Sequence, residues 1–370
     1  MPETEIKKMK TSTGIHTFSL TLPRLGYQKV QEIVDSAYDN HYQVSSKSDQ
    51  YNLDHVYKFD EFAEQGIRIE AFQYASHPGF VRLMLTPGSL LHGEYRPMDL
   101  FDASKKDWKK IQAAFNSQVN LDGFPISWDK FSLSRIDVTW DFYLDNDEEV
   151  VAWIHTIKKS MRSPKYRKIE FAKKTAKDPS EANRHSCEYC TATRRKDKKN
   201  GREYGKQPET AFKAYDKRFE VADENILDKP VLRLELSLSR QSLLSRLKKK
   251  KTSRIRKILK GAAKGAEDII FRFLKSSMYI DGNIFLYEDA LKMILNEPRL
   301  KDKRRAQMLE LLRKCSDSDN LFSALKKMNL KRGQQDALLK SFKKINLSPI
   351  TLPNSSKIKE LPSIRDLIEY

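Results

Sequence analysis

Apolar and polar residues alternate along three segments of this chain, and this alternation constrains the fold more than any other feature. The segment 134–142 has apolar residues at its even positions and, at its odd positions, Arg135, Asp137, Thr139 and Asp141. The segment 232–238 has leucines at its even positions and, between them, Arg233, Glu235 and Ser237. The segment 212–217 places Phe212 and Ala214 on one side and, on the other, Lys213, Tyr215 and Lys217. A period of two predicts strands with one core face and one exposed polar face.

The rest of the chain supplies further strands and helices around these three segments. Alternation predicts strands over 15–22, 67–74, 80–85, 131–144, 210–221 and 231–239, of which 67–74 and 80–85 form a hairpin. A spacing of three to four predicts helices over 27–38, 99–115 and 147–161. After Ser242 the pattern is helical throughout. The sequence therefore predicts an α+β protein: a mainly antiparallel sheet with flanking helices, followed by a smaller all-α C-terminal domain.

The length of 370 residues exceeds what one hydrophobic core usually spans, so more than one domain is expected. We assign residues 1–247 to a catalytic domain and 248–265 to a basic linker or helix. Residues 266–346 form the predicted helical domain, and 347–370 a proline-containing tail that we expect to be poorly ordered.

The charge balance indicates a polyanionic partner. Lys and Arg total 69 against 50 Asp and Glu, which gives a net charge of +19. A basic surface attracts phosphate backbones through counterion release, so nucleic acid is the favoured partner. The chain has neither a long apolar run nor a hydrophobic leader, which predicts no membrane span and a cytoplasmic location. Its 3 cysteines indicate a reducing compartment.

Several common chemistries have no motif in this sequence. A P-loop and a G-x-G-x-x-G loop are both absent, which argues against a nucleotide-driven motor and a dinucleotide site. The histidines include no pair two residues apart. Cys187 and Cys190 have half the spacing of a zinc site, but a strand would point them to opposite faces, so zinc is disfavoured.

The polar residues of the three alternating segments suit phosphodiester chemistry. Carboxylates can hold a divalent cation that polarises a phosphate, and arginines can clamp the flanking phosphates. A lysine can lower the pKa of a tyrosine so that the phenolate attacks. A sheet with one solvated face explains the same alternation without any chemistry. Both interpretations stay open on the pattern alone.

Short segments in a fixed order between residues 66 and 247 carry a family resemblance. They are Gly66–Gln73, Val81–Gly93, Leu133–Thr139, Lys213–Lys217 and Leu232–Glu235. The series Ser-Arg-Ile-Asp, Ala-Tyr-x-Lys and Arg-x-Glu is their most specific part. In this series the chain resembles replication initiators of the rolling-circle type, most closely the gene II replication proteins of filamentous phages and related plasmid Rep proteins.

The resemblance implies a metal-dependent, site-specific DNA endonuclease and strand transferase. Tyr215 corresponds to the nucleophile that forms a covalent 5′-phosphotyrosyl intermediate, and Lys217 to an assisting lysine. The free 3′-OH primes replication, and the displaced strand is later rejoined. We expect Mg²⁺ or Mn²⁺ on Asp137 and Glu235, with Asp141 and Glu70 in reserve. Tyr189 is a candidate second nucleophile, although a buried strand tyrosine is the simpler interpretation.

The resemblance also implies partners, and the basic residues suggest where they bind. The partners are double-stranded origin DNA, the displaced single strand, and a helicase and polymerase of a bacterial host; an oligomer is compatible with the sequence. The residues expected to contact DNA are Arg135, Lys213, Arg233, Lys248, Lys249, Lys250, Lys251, Arg254 and Arg256. Two rivals remain: a non-catalytic origin-binding protein and an RNA-binding protein.

Overall fold

The fold is described from a computed structural model of the chain. The described residues are 10–49, 54–122, 124, 128–169, 179–191, 194–196, 203–205, 209–221, 227–247 and 254–369. Among them, no helix is both long enough and apolar enough to cross a membrane.

Strands β1 to β14 follow one another along the described chain. They span Thr11–Leu25, Val44–Asp49, Asp54–Phe59, Ile67–Gln73, Gly79–Leu85, Ser132–Tyr143, Tyr166–Ile169, Ser186–Thr191, Arg194–Lys196, Glu203–Gly205, Thr210–Asp216, Val231–Ser239, Ile284–Phe285 and Glu360–Leu361. Helices α1 to α14 span Tyr27–Asp39, Pro87–His92, Lys105–Gln118, Asp147–Ser160, Pro179–Arg184, Lys217–Val221, Arg240–Arg246, Ile255–Lys264, Ala266–Ser277, Tyr287–Asn296, Asp302–Ser316, Leu321–Lys327, Arg332–Lys344 and Ile364–Glu369. These elements confirm the predicted α+β class.

The chain divides into two compact units. The amino-terminal unit comprises the described parts of Thr13–Thr139 and Leu236–Ile269, and the carboxyl-terminal unit comprises the described parts of Trp140–Glu235 and Ile270–Tyr370 together with residues 10–12. Strands β6 and β12 each contribute residues to both units. The domain boundaries expected from the sequence stay predictions.

The amino-terminal unit contains an antiparallel arrangement of strands in the order β2-β3-β4-β5-β1. Strands β4 and β5 form the predicted hairpin, with Ile69 opposite Leu83. Helix α1 packs on these strands through buried apolar residues, among them Val30 and Ile33. The side that α1 covers forms the core of this unit, because alternate residues of β4 and β5 are buried.

The carboxyl-terminal unit has strand order β6-β12-β11-β8-β7, in which β11 and β7 each pair antiparallel with β8. Helix α4 packs on β11 and β8, and the ring of Phe212 on β11 stacks on Phe273 of α9. Helix α4 begins where the sequence predicts, because Asn146 accepts a hydrogen bond from the backbone of Glu149 at 2.8 Å. This packing fixes the strand that carries Tyr215.

The predicted strand 210–221 ends early, and the remainder is helical. Strand β11 stops at Asp216, whose carboxylate accepts hydrogen bonds from the backbone N–H groups of Arg218 and Phe219 at 3.0 and 3.1 Å. A carboxylate in this position caps a helix start, so α6 begins at Lys217. The prediction that Lys217 lies on the polar face of a strand was therefore wrong.

The polar faces of the central strands are buried, contrary to the expectation of an exposed face. Asp141 and Arg233 are 0% exposed, Glu235 5%, Asp137 7% and Tyr215 9%. Buried polar groups are tolerated when hydrogen bonds and ion pairs satisfy them. The alternation in the sequence predicted which way these side chains point, but it could not show that they would satisfy one another away from water.

Residues 347–369 are packed rather than poorly ordered as expected. They include β14, which pairs antiparallel with β13, and α14. Their apolar residues are buried, among them Leu347, Leu352, Leu361, Ile364 and Leu367. The prolines that suggested a loose tail lie before and between these short elements.

His155 on α4 gives this packing an expected pH dependence. Its Nε2 lies 3.2 Å from the carbonyl oxygen of Thr351, and burial, followed by the charge of Lys159, lowers its pKa to about 4. The unfolded chain binds a proton near pH 6.5, so stability present above that pH is lost as the pH falls towards 4. We expect the unfolding free energy to drop by about 3 kcal/mol between pH 7 and pH 4 from this group. The difference between wild type and His155→Gln in urea titrations isolates it, and equal pH dependence in both proteins would contradict the assignment.

Candidate active site

Tyr215 lies near the end of β11, just before α6, on a strand held from both sides. It lies opposite Ser186 of β8, and β12 is the other neighbour of β11. Its hydroxyl donates a hydrogen bond to Oε2 of Glu235 on β12 at 3.3 Å. The phenol and this carboxylate, predicted to meet from their separate strands, are therefore in direct contact.

Two lysines complete the group around this contact. Lys213 on β11 places Nζ 3.9 Å from Oε1 of Glu235 and is about one-third exposed. Lys217, at the start of α6, is almost fully buried and has its Nζ 5.8 Å from the centroid of the Tyr215 ring. We call Lys213, Tyr215, Lys217 and Glu235 the tyrosine cluster.

Lys217 is held next to the ring by an ion pair with Glu220, one helical turn further along α6. Burial lowers the pKa of Lys217, and the nearby charge of Arg233 lowers it further, while Glu220 and Glu235 oppose both. The ammonium is thus easier to deprotonate than a solvent-exposed lysine.

The Tyr215 hydroxyl is protonated in this arrangement. Burial raises its pKa well above the usual value, and the negative charge of Glu235 raises it further, whereas Arg233 acts in the opposite direction. This direction is opposite to the expected lowering by a lysine, because desolvation and a carboxylate outweigh the neighbouring cations. Glu235, which already accepts the hydroxyl hydrogen, is placed to receive its proton.

Asp141 and Arg233 form a buried ion pair behind the tyrosine cluster. The guanidinium Nε lies 2.6 Å from Oδ1 and Nη2 lies 2.8 Å from Oδ2, and both side chains are 0% exposed. Burial alone would lower the pKa of Arg233, but the charge and hydrogen bonds of Asp141 raise it. Asp141, a predicted metal ligand, thus has a cation as its partner, and Arg233, a predicted DNA contact, has no solvent-exposed surface.

The other predicted carboxylates lie in the amino-terminal unit. Oδ1 of Asp137 accepts a hydrogen bond from Nε of Arg135 at 3.0 Å, and Oδ2 accepts one from the hydroxyl of Thr17. Arg135 also donates to the Ser237 hydroxyl at 2.7 Å. Glu70 pairs with Arg82 at 3.0 Å. Arg135 is therefore engaged with Asp137 rather than extended into solvent.

The described side chains do not fit a divalent metal ion as they stand. They contain no group of three or more His, Cys, Asp or Glu residues arranged to hold one. A hard cation needs several oxygen ligands with free lone pairs, whereas Glu235, Asp141 and Asp137 each accept from cationic or hydroxyl partners. The requirement for Mg²⁺ or Mn²⁺ stays a prediction.

The basic lead-in to the helices is only partly within the described residues. Lys248, Lys249, Lys250 and Lys251 lie outside them. Arg254 is exposed just before α8, and Arg256 is half-buried within it. The contacts with DNA predicted for these lysines and arginines stay predictions.

His185, which the sequence did not link to Tyr215, contacts both α5 and the end of β11. His185 has Nδ1 2.9 Å from Asp216 and Nε2 3.0 Å from Glu181, and its ring stacks on Phe219 with 4.2 Å between centroids. It precedes Ser186, the residue opposite Tyr215. The sequence signal was its position just before a strand, which could be interpreted only once β8 and β11 were known to pair.

Tyr189 has the structural role that was the simpler interpretation. Its side chain is fully buried on β8, and its hydroxyl donates a hydrogen bond to the carbonyl oxygen of Lys158 at 2.5 Å. Burial also raises its pKa. The hydroxyl thus ties β8 to α4.

Comparisons with known proteins give structural similarity but no sequence match. No protein-family model matches the chain, and no curated protein matches it. Among solved structures, the rolling circle replication initiator protein from Geobacillus stearothermophilus is similar with a TM-score of 0.37 and 10% sequence identity. The match covers 92% of this chain and 100% of that one. A similarity of this size carries no inference about family or function.

Proposed function

We propose that the chain is a DNA nicking and closing enzyme that initiates rolling-circle replication, with Tyr215 as its nucleophile. The observation that carries the proposal is the tyrosine cluster: the phenol donates to Glu235 at 3.3 Å, with one lysine beside the carboxylate and another over the ring. A nucleophile, a base and positive charge are the groups that phosphodiester transfer requires. The order of motifs along the sequence supports the same function.

The proposed reaction is a transesterification. Glu235 accepts the hydroxyl proton as the Tyr215 oxygen attacks phosphorus, the bond from phosphorus to the 3′ oxygen breaks, and that oxygen takes up a proton to leave a free 3′-OH. Lys213 and Lys217 stabilise the negative charge that develops on the phosphate oxygens. The phosphotyrosyl bond retains the energy of the original ester, so rejoining needs no ATP.

Access to the phenol is part of the proposal. Because Tyr215 is 9% exposed, a DNA phosphate reaches the hydroxyl only when a neighbouring side chain moves. Lys213 is the partly exposed member of the cluster, and a phosphate is a stronger partner for it than a carboxylate 3.9 Å away. We propose that DNA binding draws Lys213 from Glu235 and opens the cluster.

The test uses supercoiled DNA of the replicon that carries the gene, incubated with the protein and Mn²⁺, Mg²⁺ or EDTA. A denaturing gel separates nicked circles and protein-linked DNA, and mass spectrometry of the digested adduct identifies the modified residue. We expect nicked circles and DNA attached to the peptide containing Tyr215, and the comparison with EDTA shows whether nicking requires a divalent cation. Attachment at another residue would contradict the nucleophile assignment.

Replacing Glu235 with Gln is expected to lower the nicking rate by about 10²- to 10⁴-fold, because the amide cannot accept the phenol proton. Origin affinity, measured by filter binding, should change by less than about threefold. Glu188→Gln is the matched control, since Glu188 lies on the neighbouring strand opposite Lys213. Equal nicking rates in Glu235→Gln and the control would remove Glu235 from the mechanism.

A second candidate function is a non-catalytic origin-binding protein. The burial of the Tyr215 hydroxyl and its satisfied hydrogen bond favour it, because a structural tyrosine has the same environment. This candidate gives DNA binding without nicked circles or adduct in the same assay. An RNA-binding protein would prefer an RNA of the origin sequence to the DNA.

The proposed setting follows from the enzyme's product. Nicking of double-stranded origin DNA leaves a 3′-OH for a host polymerase, and a host helicase is needed to displace the single strand. We propose that this takes place in the cytoplasm of a bacterial host.

A further inference from the structure

A cleft of about 790 Å³ opens in the carboxyl-terminal unit, and no member of the tyrosine cluster lines it. Its walls come from the segment leading into β7, the end of α9, and helices α12 and α13. We call it the basic cleft. The basic and aromatic residues that line it are Arg162, Lys165, Tyr166, Phe322, Lys326 and Arg332.

Positive charge dominates the basic cleft. Arg162, Lys165, Lys326 and Arg332 line it together with a single acidic residue, Asp336. Within the described part of the chain, no carboxylate pairs with Lys165, Lys326 or Arg332, and all three are exposed. The cleft therefore presents ammonium and guanidinium groups that have no counter-ion among the described residues.

Helix α13 adds to this charge. Arg332 is its first residue and Gln335 lies in its first turn, and both line the cleft. The positive end of the helix dipole thus faces the same space as the basic side chains. The combination favours an anionic ligand.

Aromatic rings stand among these cations. Phe322 is 37% exposed, and Tyr166 is half-buried with its ring edge-to-face against Phe273 at 5.2 Å between centroids. Water solvates an exposed phenylalanine ring poorly, and the ring offers a flat face on which a nucleobase can stack. Cations for phosphates and rings for bases are the combination found in binding grooves for single strands.

Backbone hydrogen bonds hold the walls together. The N–H of Phe322 donates to the carbonyl of Met161 at 3.0 Å, and that of Arg162 donates to Ser277 at 2.9 Å. The Arg162 guanidinium donates to the carbonyl of Lys275 at 3.3 Å. The backbone of Phe322 and both the backbone and the side chain of Arg162 are therefore placed before any ligand arrives, which lowers the entropic cost of binding.

We infer that the basic cleft binds a short stretch of single-stranded DNA, with phosphates on Lys165, Lys326 and Arg332 and a base stacked on Phe322. Its volume falls within the range of roughly 300–1,000 Å³ typical of pockets for small ligands, so it admits a few nucleotides and not a duplex. The inference rests on the proposed function, in which nicking releases a single strand beside the protein. The cleft would hold that strand apart from the phenol.

The test measures fluorescence anisotropy of a labelled 12-nucleotide oligo-dT with the full chain, without divalent cations, over a range of salt concentrations. Phe322→Ala is expected to weaken binding about fivefold or more, the effect of losing one stacked base. Arg332→Ala and Lys326→Ala should each reduce the salt slope by about 0.7 for every phosphate that the variant no longer neutralises. An iododeoxyuridine 12-mer should crosslink on irradiation to a peptide containing Phe322 or Tyr166.

Matched variants separate the cleft from general charge effects. Lys340→Ala removes a cation from the same helix at a position that does not line the cleft, and it should bind as wild type does. Phe322→Trp keeps a stacking face and should bind within about twofold of wild type. Unchanged affinity in Phe322→Ala, crosslinks elsewhere, or equal competition by duplex DNA, by an RNA 12-mer or by inorganic phosphate would each overturn the inference.

The readout does not depend on Tyr215. Loss of the covalent adduct with cleft-dependent oligo-dT binding intact would reject the nicking reaction and keep the cleft. If the adduct forms but no cleft variant changes oligo-dT binding, the nicking reaction is kept and the cleft is rejected as the binding site.

Discussion

Tyr215→Phe is expected to abolish the covalent protein–DNA adduct and to lower origin nicking by a factor on the order of 10³ or more, as expected when a nucleophile is removed. The variant keeps the ring on β11, the strand between β8 and β12, and loses only the hydroxyl. The Glu235 carboxylate then lacks one donor, which costs about 1–3 kcal/mol of stability. A denaturing gel for the adduct and thermal melting of the same preparation measure both effects.

The control for this prediction is Tyr189→Phe. Tyr189 is another buried tyrosine, on the adjacent strand, and its hydroxyl also donates a hydrogen bond. Its loss should cost comparable stability and leave nicking intact. If Tyr215→Phe nicks as fast as Tyr189→Phe, the phenol of Tyr215 is structural and another residue is the nucleophile.

The second large effect is expected at the buried pair of Asp141 and Arg233. Arg233→Met leaves the Asp141 carboxylate buried without a counter-ion, and we expect a loss of about 3–5 kcal/mol in the unfolding free energy. The double variant Asp141→Leu/Arg233→Met removes both charges and should recover most of that loss. Urea denaturation of the single and double variants measures this coupling.

An exposed pair provides the comparison. Arg299 pairs with Glu297 at 2.6 Å, but its side chain is 73% exposed, so Arg299→Met should leave stability unchanged within error.

The folded double variant Asp141→Leu/Arg233→Met also tests the predicted DNA contact of Arg233. Loss of origin binding in that variant would show that the guanidinium reaches DNA, and retained binding would show that it serves the fold. A single variant as stable as wild type would contradict the role of the pair.

The sequence predicted the strands of the site well because a period of two is a local property. Segment 231–239 was predicted and is β12, and β6 begins and ends within one residue of the predicted 131–144. The same pattern placed Tyr215 and Glu235 on one polar face, and their side chains do meet. Backbone periodicity is enough to predict which face of a strand each side chain occupies, and pairing between neighbouring strands then determines which side chains meet.

What the sequence could not show depends on contacts between distant residues. Whether Asp141 holds a metal or an arginine is decided by Arg233, which lies 92 positions away. The burial of the polar face likewise depends on ion pairs that no local window contains. Lys217 was placed wrongly for a local reason, because the capping carboxylate of Asp216 outweighs the strand pattern around it.

Because the chain changes from β11 to α6 between Tyr215 and Lys217, helical rotation rather than strand pleating determines where the Lys217 amine lies. Along a strand, one extra residue would turn a side chain to the opposite face; after a helix start it would turn the amine by about 100° and advance it 1.5 Å. The distance between amine and ring is therefore sensitive to the length of this junction. A single residue inserted at this junction is therefore expected to separate the amine from the ring while every strand keeps its register.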